Sequence, residues 1–408
     1  MNQVWIITGV VACFGLGNGL LLNATPQVSL ALKLSSRELG LIGAGIPIGY
    51  SLSCLLAGRF LSGMTGRTVL RCGLAVTFIA LLCMAQARSA AVCVAAQIGF
   101  GLGSGAVWPF SSAWLLDLES HGIPRTRLLR YYNVAWTSST ACGMFAGGLL
   151  CSRQLIFEAI YAAAVMILCA FVFACIGKPT PPHANSHGSS AAAQMRPANA
   201  MVLLAAALIC NITVLATRMI VWNNYAELNS ARGFGADRMG LISGMSLVAQ
   251  VGAFTFGYMY EHKLGLRRVY LLLSAALVAI NLTFAYAESL PLLLAAVLIH
   301  GVVLAIAFQT ALLAAMRFFP SPRSATTFHE AVIGIAGLSP LMAGYLVAAM
   351  KERTSDLQAL QAPFLVLAGL AVVGLLVETL LVGKALSERV FLAPVSPPET
   401  VGKKEAVL

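Results

Sequence analysis

The sequence predicts an all-α polytopic membrane protein, with twelve transmembrane helices in two pseudo-symmetric six-helix bundles. Three observations predict it. Hydrophobic residues make up 59% of the 408-residue chain and charged residues only 10%, whereas a soluble domain carries roughly a quarter charged residues to cover its water-facing surface. Apolar runs of about 20 residues, enough to cross the hydrocarbon core, recur along the whole length instead of forming one block. The second half also repeats features of the first at a nearly constant offset. Such spans must be helical, because lipid offers the backbone no hydrogen-bond partner.

In order, the predicted spans are 4–24, 38–60, 68–87, 90–114, 132–151 and 155–177, then 200–225, 239–260, 268–287, 290–316, 326–349 and 362–384. The opening Met1 to Leu22 lacks a basic n-region and runs into the polar stretch Asn23-Ala24-Thr25-Pro26. It reads as the first span and not as a cleaved signal peptide. Gly99-Phe100-Gly101-Leu102-Gly103 in the fourth span and Ala146-Gly147-Gly148 in the fifth supply the small residues that let membrane helices approach closely. Residues 1–177 form an N-terminal six-helix bundle and 200–386 a C-terminal one. Between them, 178–199 is a flexible cytoplasmic linker rich in Pro, Ser, Gly and Ala. The tail 387–408, with Pro394, Pro397, Pro398, Lys403 and Lys404, reads as disordered.

The net charge of +11 has a topological explanation. With the linker and both termini on one side, that side holds seventeen of the 26 Lys and Arg and the other side eight, with Arg218 left inside a span. The richer side is cytoplasmic by the positive-inside rule. Because these residues sit in short loops and not on one amphipathic face, no nucleic-acid partner is expected. The expected setting is a plasma (inner) membrane, with both termini cytoplasmic and the chain monomeric. Most of the ten cysteines lie in apolar runs, where Cys behaves as a small hydrophobe. None forms a CxxC pair, so neither a zinc site nor a disulfide framework is indicated.

The internal repeat is legible residue by residue. At an offset of 200, Leu39-Gly40-Leu41-Ile42 lies opposite Met239-Gly240-Leu241-Ile242, and Gly101 and Trp108 lie opposite Gly301 and Phe308. The same offset sets Asn18 opposite Arg218 and Asn23 opposite Asn223. An offset of 199 matches Gly58 to Gly66 with Gly257 to Gly265. One of 196 sets Tyr132-Asn133 against Phe328-His329 and Gly148 against Gly344. Two parallel halves around one axis place a site at their mid-membrane interface.

At these residues the chain resembles the major facilitator superfamily over essentially its full length. The family carries a Gly-rich basic loop between spans 2 and 3, repeated between spans 8 and 9. Here Gly58-Arg59-Phe60-Leu61-Ser62-Gly63-Met64-Thr65-Gly66-Arg67 has Ser62 where the family usually has Asp. The second copy, Gly257 to Arg268, keeps an acid as Glu261 and the basic pair Arg267-Arg268. The resemblance implies a gating role for Gly58, Gly66, Arg67, Gly257, Glu261, Gly265, Arg267 and Arg268. Family antiporters often have Gly-Pro-x-x-Gly-Gly in span 5; this chain has Gly143-Met144-Phe145-Ala146-Gly147-Gly148, without the Pro, while span 11 keeps Ser339-Pro340 with Gly344. Many proton-coupled members carry an Arg in span 4 four residues before a Gly. Gln97 stands there, before Gly101.

The candidate site residues are polar groups inside apolar spans. Arg218 is the most informative, since an Arg at a helix centre costs roughly 2.5–3.5 kcal/mol on the insertion scale. It is either an anchor for a carboxylate or phosphate in a central cavity or a structural, snorkelling side chain. Trp222 lies four residues on, and Trp222 and Asn223 either line the cavity or mark the interface. Glu330 and His329 near the end of span 11 are candidates for proton coupling, because an intramembrane carboxyl can carry a proton and His titrates readily. Their alternative is a helix-end pair. Asn133, Trp136, Thr137 and Thr140 form a polar stripe on span 5, and Gln97, Gly101, Ser104, Trp108 and Ser112 another on span 4. Both stripes suit either cavity lining or helix–helix bonding. Asn18 and Asn23 join the substrate-binding candidates through their repeat partners. His300 reads as a satisfied buried histidine.

Gly101-Leu102-Gly103-Ser104-Gly105-Ala106 satisfies a dinucleotide-binding pattern, but it lies inside an apolar helix with no preceding strand. With no Walker loop and no catalytic constellation, neither an enzyme nor a cofactor is expected. What remains is a secondary active transporter working by alternating access, moving a small organic anion with proton coupling. The alternatives are an exporter of amphipathic or drug-like compounds, toward which the span 5 element leans, and a non-transporting receptor.

Overall fold

The computed structural model describes residues 3–60, 65–116, 118, 123, 125–177, 197–256, 266–319 and 322–385. Among these the secondary structure is helical, with no strand. In chain order the helices are α1 (Gln3–Ala31), α2 (Ser36–Phe60), α3 (Gly66–Ala85), α4 (Ala90–Leu116), α5 (Arg125–Ser152), α6 (Ile156–Ile176) and α7 (Pro197–Asn223). They continue with α8 (Tyr225–Ala231), α9 (Ala236–Phe256), α10 (Leu266–Tyr286), α11 (Leu290–Phe318), α12 (Pro322–Ala336), α13 (Ser339–Lys351) and α14 (Asp356–Ala385). Among the described residues, eleven stretches are long and apolar enough to cross a membrane, with α12 and α13 together supplying one. The eighth span expected from the sequence falls on α9, which is not among the eleven.

Two elements differ from the sequence reading. The first span continues as helix through Asn23-Ala24-Thr25-Pro26 to Ala31. Proline removes a backbone donor there, and side chains engage the backbone around it: the Thr25 hydroxyl donates to the Leu21 carbonyl at 2.8 Å, and Ser29 to that of Thr25 at 3.2 Å. The eleventh span is broken between α12 and α13, because Pro340 cannot continue the ladder. Ser339 instead donates to the Ala216 carbonyl of α7 at 3.1 Å. The start of α2 is fixed by a reciprocal cap: Ser35 N–H donates to the Glu38 carboxylate at 2.8 Å, and Glu38 N–H to Ser35 Oγ at 3.3 Å. The predicted linker up to Arg196 and the tail 387–408 lie outside the described residues.

Burial separates into two cores. One is built largely from the first half, around Phe14, Leu74, Phe100 and Ile160, and the other from the second half, around Tyr225, Phe284 and Phe364. The halves meet where α2 packs on α13 and α5 on α9. A Cβ added to Gly40 would lie 3.0 Å from Gly344 Cα, and one added to Gly240 only 2.8 Å from Gly148 Cα. These are one contact made twice. Gly40 and Gly240 are repeat partners, and so are Gly344 and Gly148. Inside each half the correspondence holds as well: Gly101 abuts the Ile46 carbonyl and its partner Gly301 abuts that of Ser246.

Candidate functional site

Below the glycine contacts, toward the linker ends of the helices, side chains from both halves converge. Glu330 of α12 accepts a hydrogen bond from the Tyr50 hydroxyl of α2 at 2.6 Å, in the short range expected of a charge-assisted O–H···O contact. The α12–α13 break supports this arrangement, since Gly337 abuts the Pro47 ring and Gly334 the Ser51 side chain. The Tyr132 hydroxyl of α5 donates to the Trp108 carbonyl of α4 at 3.1 Å. Beside it lies an aromatic cluster. Trp108 packs edge-on against Phe14 (4.8 Å), Trp136 (6.0 Å) and Tyr132 (6.3 Å). Phe308 packs against His329 (4.6 Å) and Phe254 (6.3 Å). Trp136 packs against both main cores and against the small cluster of Ala253, Phe254 and Ala305 that Phe308 also joins. Its indole N–H donates to Asn133 Oδ1 at 3.2 Å. Tyr50, Trp108, Tyr132, Asn133, Trp136, Phe308 and Glu330 are all half-buried.

Arg218 faces a small cavity of its own. Its guanidinium stacks over the Trp222 ring at 4.5 Å. The cavity beside it is lined by Ser243, Ser246, Phe284, Val297 and His300, all from the second half. It has room for roughly one water molecule. No carboxylate lines it, and Arg218 Nε has no hydrogen-bond partner. His300 is buried and bonded on both ring nitrogens, to Ser246 Oγ at 3.1 Å and to the Val214 carbonyl at 3.2 Å. The carbonyl can only accept, so His300 Nε2 carries the proton and Nδ1 accepts from Ser246 when the ring is neutral.

The other candidates are spread more widely. Asn18 is half-buried on α1. Asn23 is buried against Gly147, with neither amide atom hydrogen-bonded. Gln97 is buried and donates to Thr25 Oγ1 at 2.6 Å, tying α4 to α1. Asn223 donates to the Met219 carbonyl at 2.8 Å and abuts Gly43 of the opposite half. His329 is 1% exposed and neither ring nitrogen has a hydrogen-bond partner. Thr137 and Thr140 bond back to their own helix. Among the gating candidates, Gly66 packs near Phe110. Arg67 donates to the carbonyls of Ala174 (3.1 Å) and Cys175 (2.6 Å), capping the end of α6. Arg268 is exposed. Gly257, Glu261 and Gly265 lie outside the described residues, as do the side-chain surroundings of Gly58 and Arg267.

Sequence reasoning missed three groups. Tyr50 carries no signal of its own, because tyrosine is common in membrane helices. Glu378 is 1% exposed within α14, accepts from Ser274 Oγ at 2.8 Å, and leaves Oε1 without a partner. A lone acid in an apolar run was its available signal. At the end remote from the linker, Ser36 donates to Glu227 at 2.9 Å and accepts from Lys351 Nζ at 3.0 Å. These residues are neighbours only in space.

A membrane-spanning helical chain whose halves close on a polar, ring-lined interface has the architecture of a polytopic transporter. The model of the Major Facilitator Superfamily matches residues 7–208. By that match the chain belongs to the major facilitator superfamily, and solved transporters share its fold along nearly its whole length. The nucleoside transporter NupG superposes with a TM-score of 0.76 at 14% identity, covering 94% of this chain and 99% of that one. The POT family transporter PepTSo gives 0.69 at 14% identity, covering 94% and 98%. An auto-inhibited POT family peptide transporter gives 0.68 at 14% identity, covering 94% and 97%. No curated protein matches the sequence.

Proposed function

We propose that this protein is a secondary active transporter moving a small organic anion by alternating access, with proton coupling. The observation that supports this most is the bond from Tyr50 of one half to the Glu330 carboxyl of the other, at 2.6 Å. A carboxylate only accepts hydrogen bonds, while a carboxylic acid also donates one. Proton uptake at Glu330 therefore changes the bonding between the halves, which is what coupling requires. Arg218 supports the anion. A guanidinium held inside the protein with no carboxylate beside it is stabilised by a negative group from outside. The halves, 1–177 and 200–386, rock about the interface while the 178–199 linker keeps them together. One carried charge feels about 2.3 kcal/mol per 100 mV of membrane potential, enough to drive accumulation without ATP. The charge asymmetry of the loops favours cytoplasmic termini in a plasma (inner) membrane. A second reading, export of amphipathic compounds, draws on the aromatic residues beside Glu330.

Counterflow in proteoliposomes tests the proposal. A labelled organic anion is expected to cross only with the intact protein, faster under an imposed proton gradient. Glu330→Gln is expected to abolish the effect of that gradient, and full retention of pH-dependent flux would remove the coupling. Binding without any crossing would instead leave a receptor.

A further inference from the structure

We infer that the solute carries a planar aromatic or heteroaromatic ring, held between Trp108 and Trp136 of one half and Phe308 of the other. The inference rests on the transport reading for its setting, but it concerns binding and is tested separately. Trp108 and Phe308 are repeat partners at an offset of 200. In a two-fold arrangement of halves, partner residues stand at matching distances from the shared axis, so one flat side chain flanks that axis on each side. Both are half-buried. Trp136 packs against clusters from both halves.

Phe14 and Tyr132 brace Trp108 edge-on, and Phe254 and His329 brace Phe308. The bond from Trp136 to Asn133 Oδ1 fixes the indole plane and leaves the Asn133 amide N–H groups as donors. Because the rings are only half-buried, an occupant packed on them would bury further apolar area. An aliphatic solute gains that burial alone. An aromatic one also gains quadrupole-matched contacts, about 0.5–1.5 kcal/mol per ring pair, or roughly two- to tenfold in affinity. Asn133 bonds to Trp136, and Glu330, bonded to Tyr50, follows the His329 that packs on Phe308, so a ring with a polar substituent suits the site better than a bare hydrocarbon.

Matched probes test this on the purified full-length protein in detergent. Benzoate is compared with cyclohexanecarboxylate, and benzylamine with cyclohexylmethylamine, by saturation-transfer NMR and calorimetry. The aromatic member of at least one pair is expected to bind roughly two- to tenfold more tightly. Phe308→Leu and Trp136→Leu are expected to erase that preference, while Phe308→Tyr keeps it. The wild-type comparison needs no variant, so poor folding of the leucine variants cannot shield the idea. Equal binding within both pairs, absence of binding by all four, or a preference surviving both leucine variants overturns it. Ring preference without counterflow would leave the ring site standing and remove transport. Counterflow with no ring preference would do the reverse.

Discussion

Glu227 shows how a single residue can tie closure at one end of the molecule to pH. It lies on α8, outside the candidate spans, bridged to Lys351 through the Ser36 hydroxyl of the opposite half. Burial pushes its carboxyl above the ordinary value; Lys351 and Ser36 pull it down in part, and Asp356 adds to the rise. The folded protein therefore holds the proton more tightly than the unfolded chain does. The associated stabilisation is complete below the unfolded value of about 4.3 and is lost as pH rises through the higher folded value. Melting curves between these limits are expected to show the wild-type midpoint falling with rising pH, and Glu227→Gln is expected to flatten that slope. An unchanged slope in the variant would assign the effect elsewhere. Glu227 itself was illegible in the sequence, because its partners at positions 36 and 351 are distant in the chain. Arg218 and Glu330 were legible, since a charge in an apolar run stands out without any partner. The same rule applied to Glu378 would have found it too.

Among the elements, α9 offers an internal comparison. A Cβ on Gly240 would sit 2.8 Å from Gly148 Cα, whereas one on Gly252, in the same helix, would meet nothing within 4 Å. Gly252→Ala is therefore expected to stabilise by up to about 1 kcal/mol, the ordinary gain from replacing glycine in a helix. Gly240→Ala must push two backbones apart and is expected to cost about 1–3 kcal/mol. Thermal midpoints of the two variants should move in opposite directions, and equal shifts would refute the close contact. Most spans were visible from hydropathy alone, because length and apolarity are all that lipid demands. The continuation of α1 past Pro26 and the break in span 11 were not. Whether a proline ends a helix depends on who accepts and donates around it, and Thr25, Ser29 and Ser339 settle that through contacts that hydropathy does not encode.

At the scale of the whole molecule, the repeat was the most productive sequence signal. It anticipated the matching Gly101 and Gly301 contacts, and it paired Trp108 with Phe308. It misled where one half has diverged: Asn23 packs inside its own half while its partner Asn223 abuts the other. The crossed pairs Gly40–Gly344 and Gly148–Gly240 carry a wider consequence. They make the contact isologous, each half presenting the same patch to the other, as the subunits of a two-fold homodimer do. Recognition between such surfaces does not depend on the peptide joining them. Fragments 1–186 and 187–408, produced together as separate polypeptides, should find one another in the bilayer and co-purify. Replacing Gly40 and Gly240 together with leucine should abolish that co-purification.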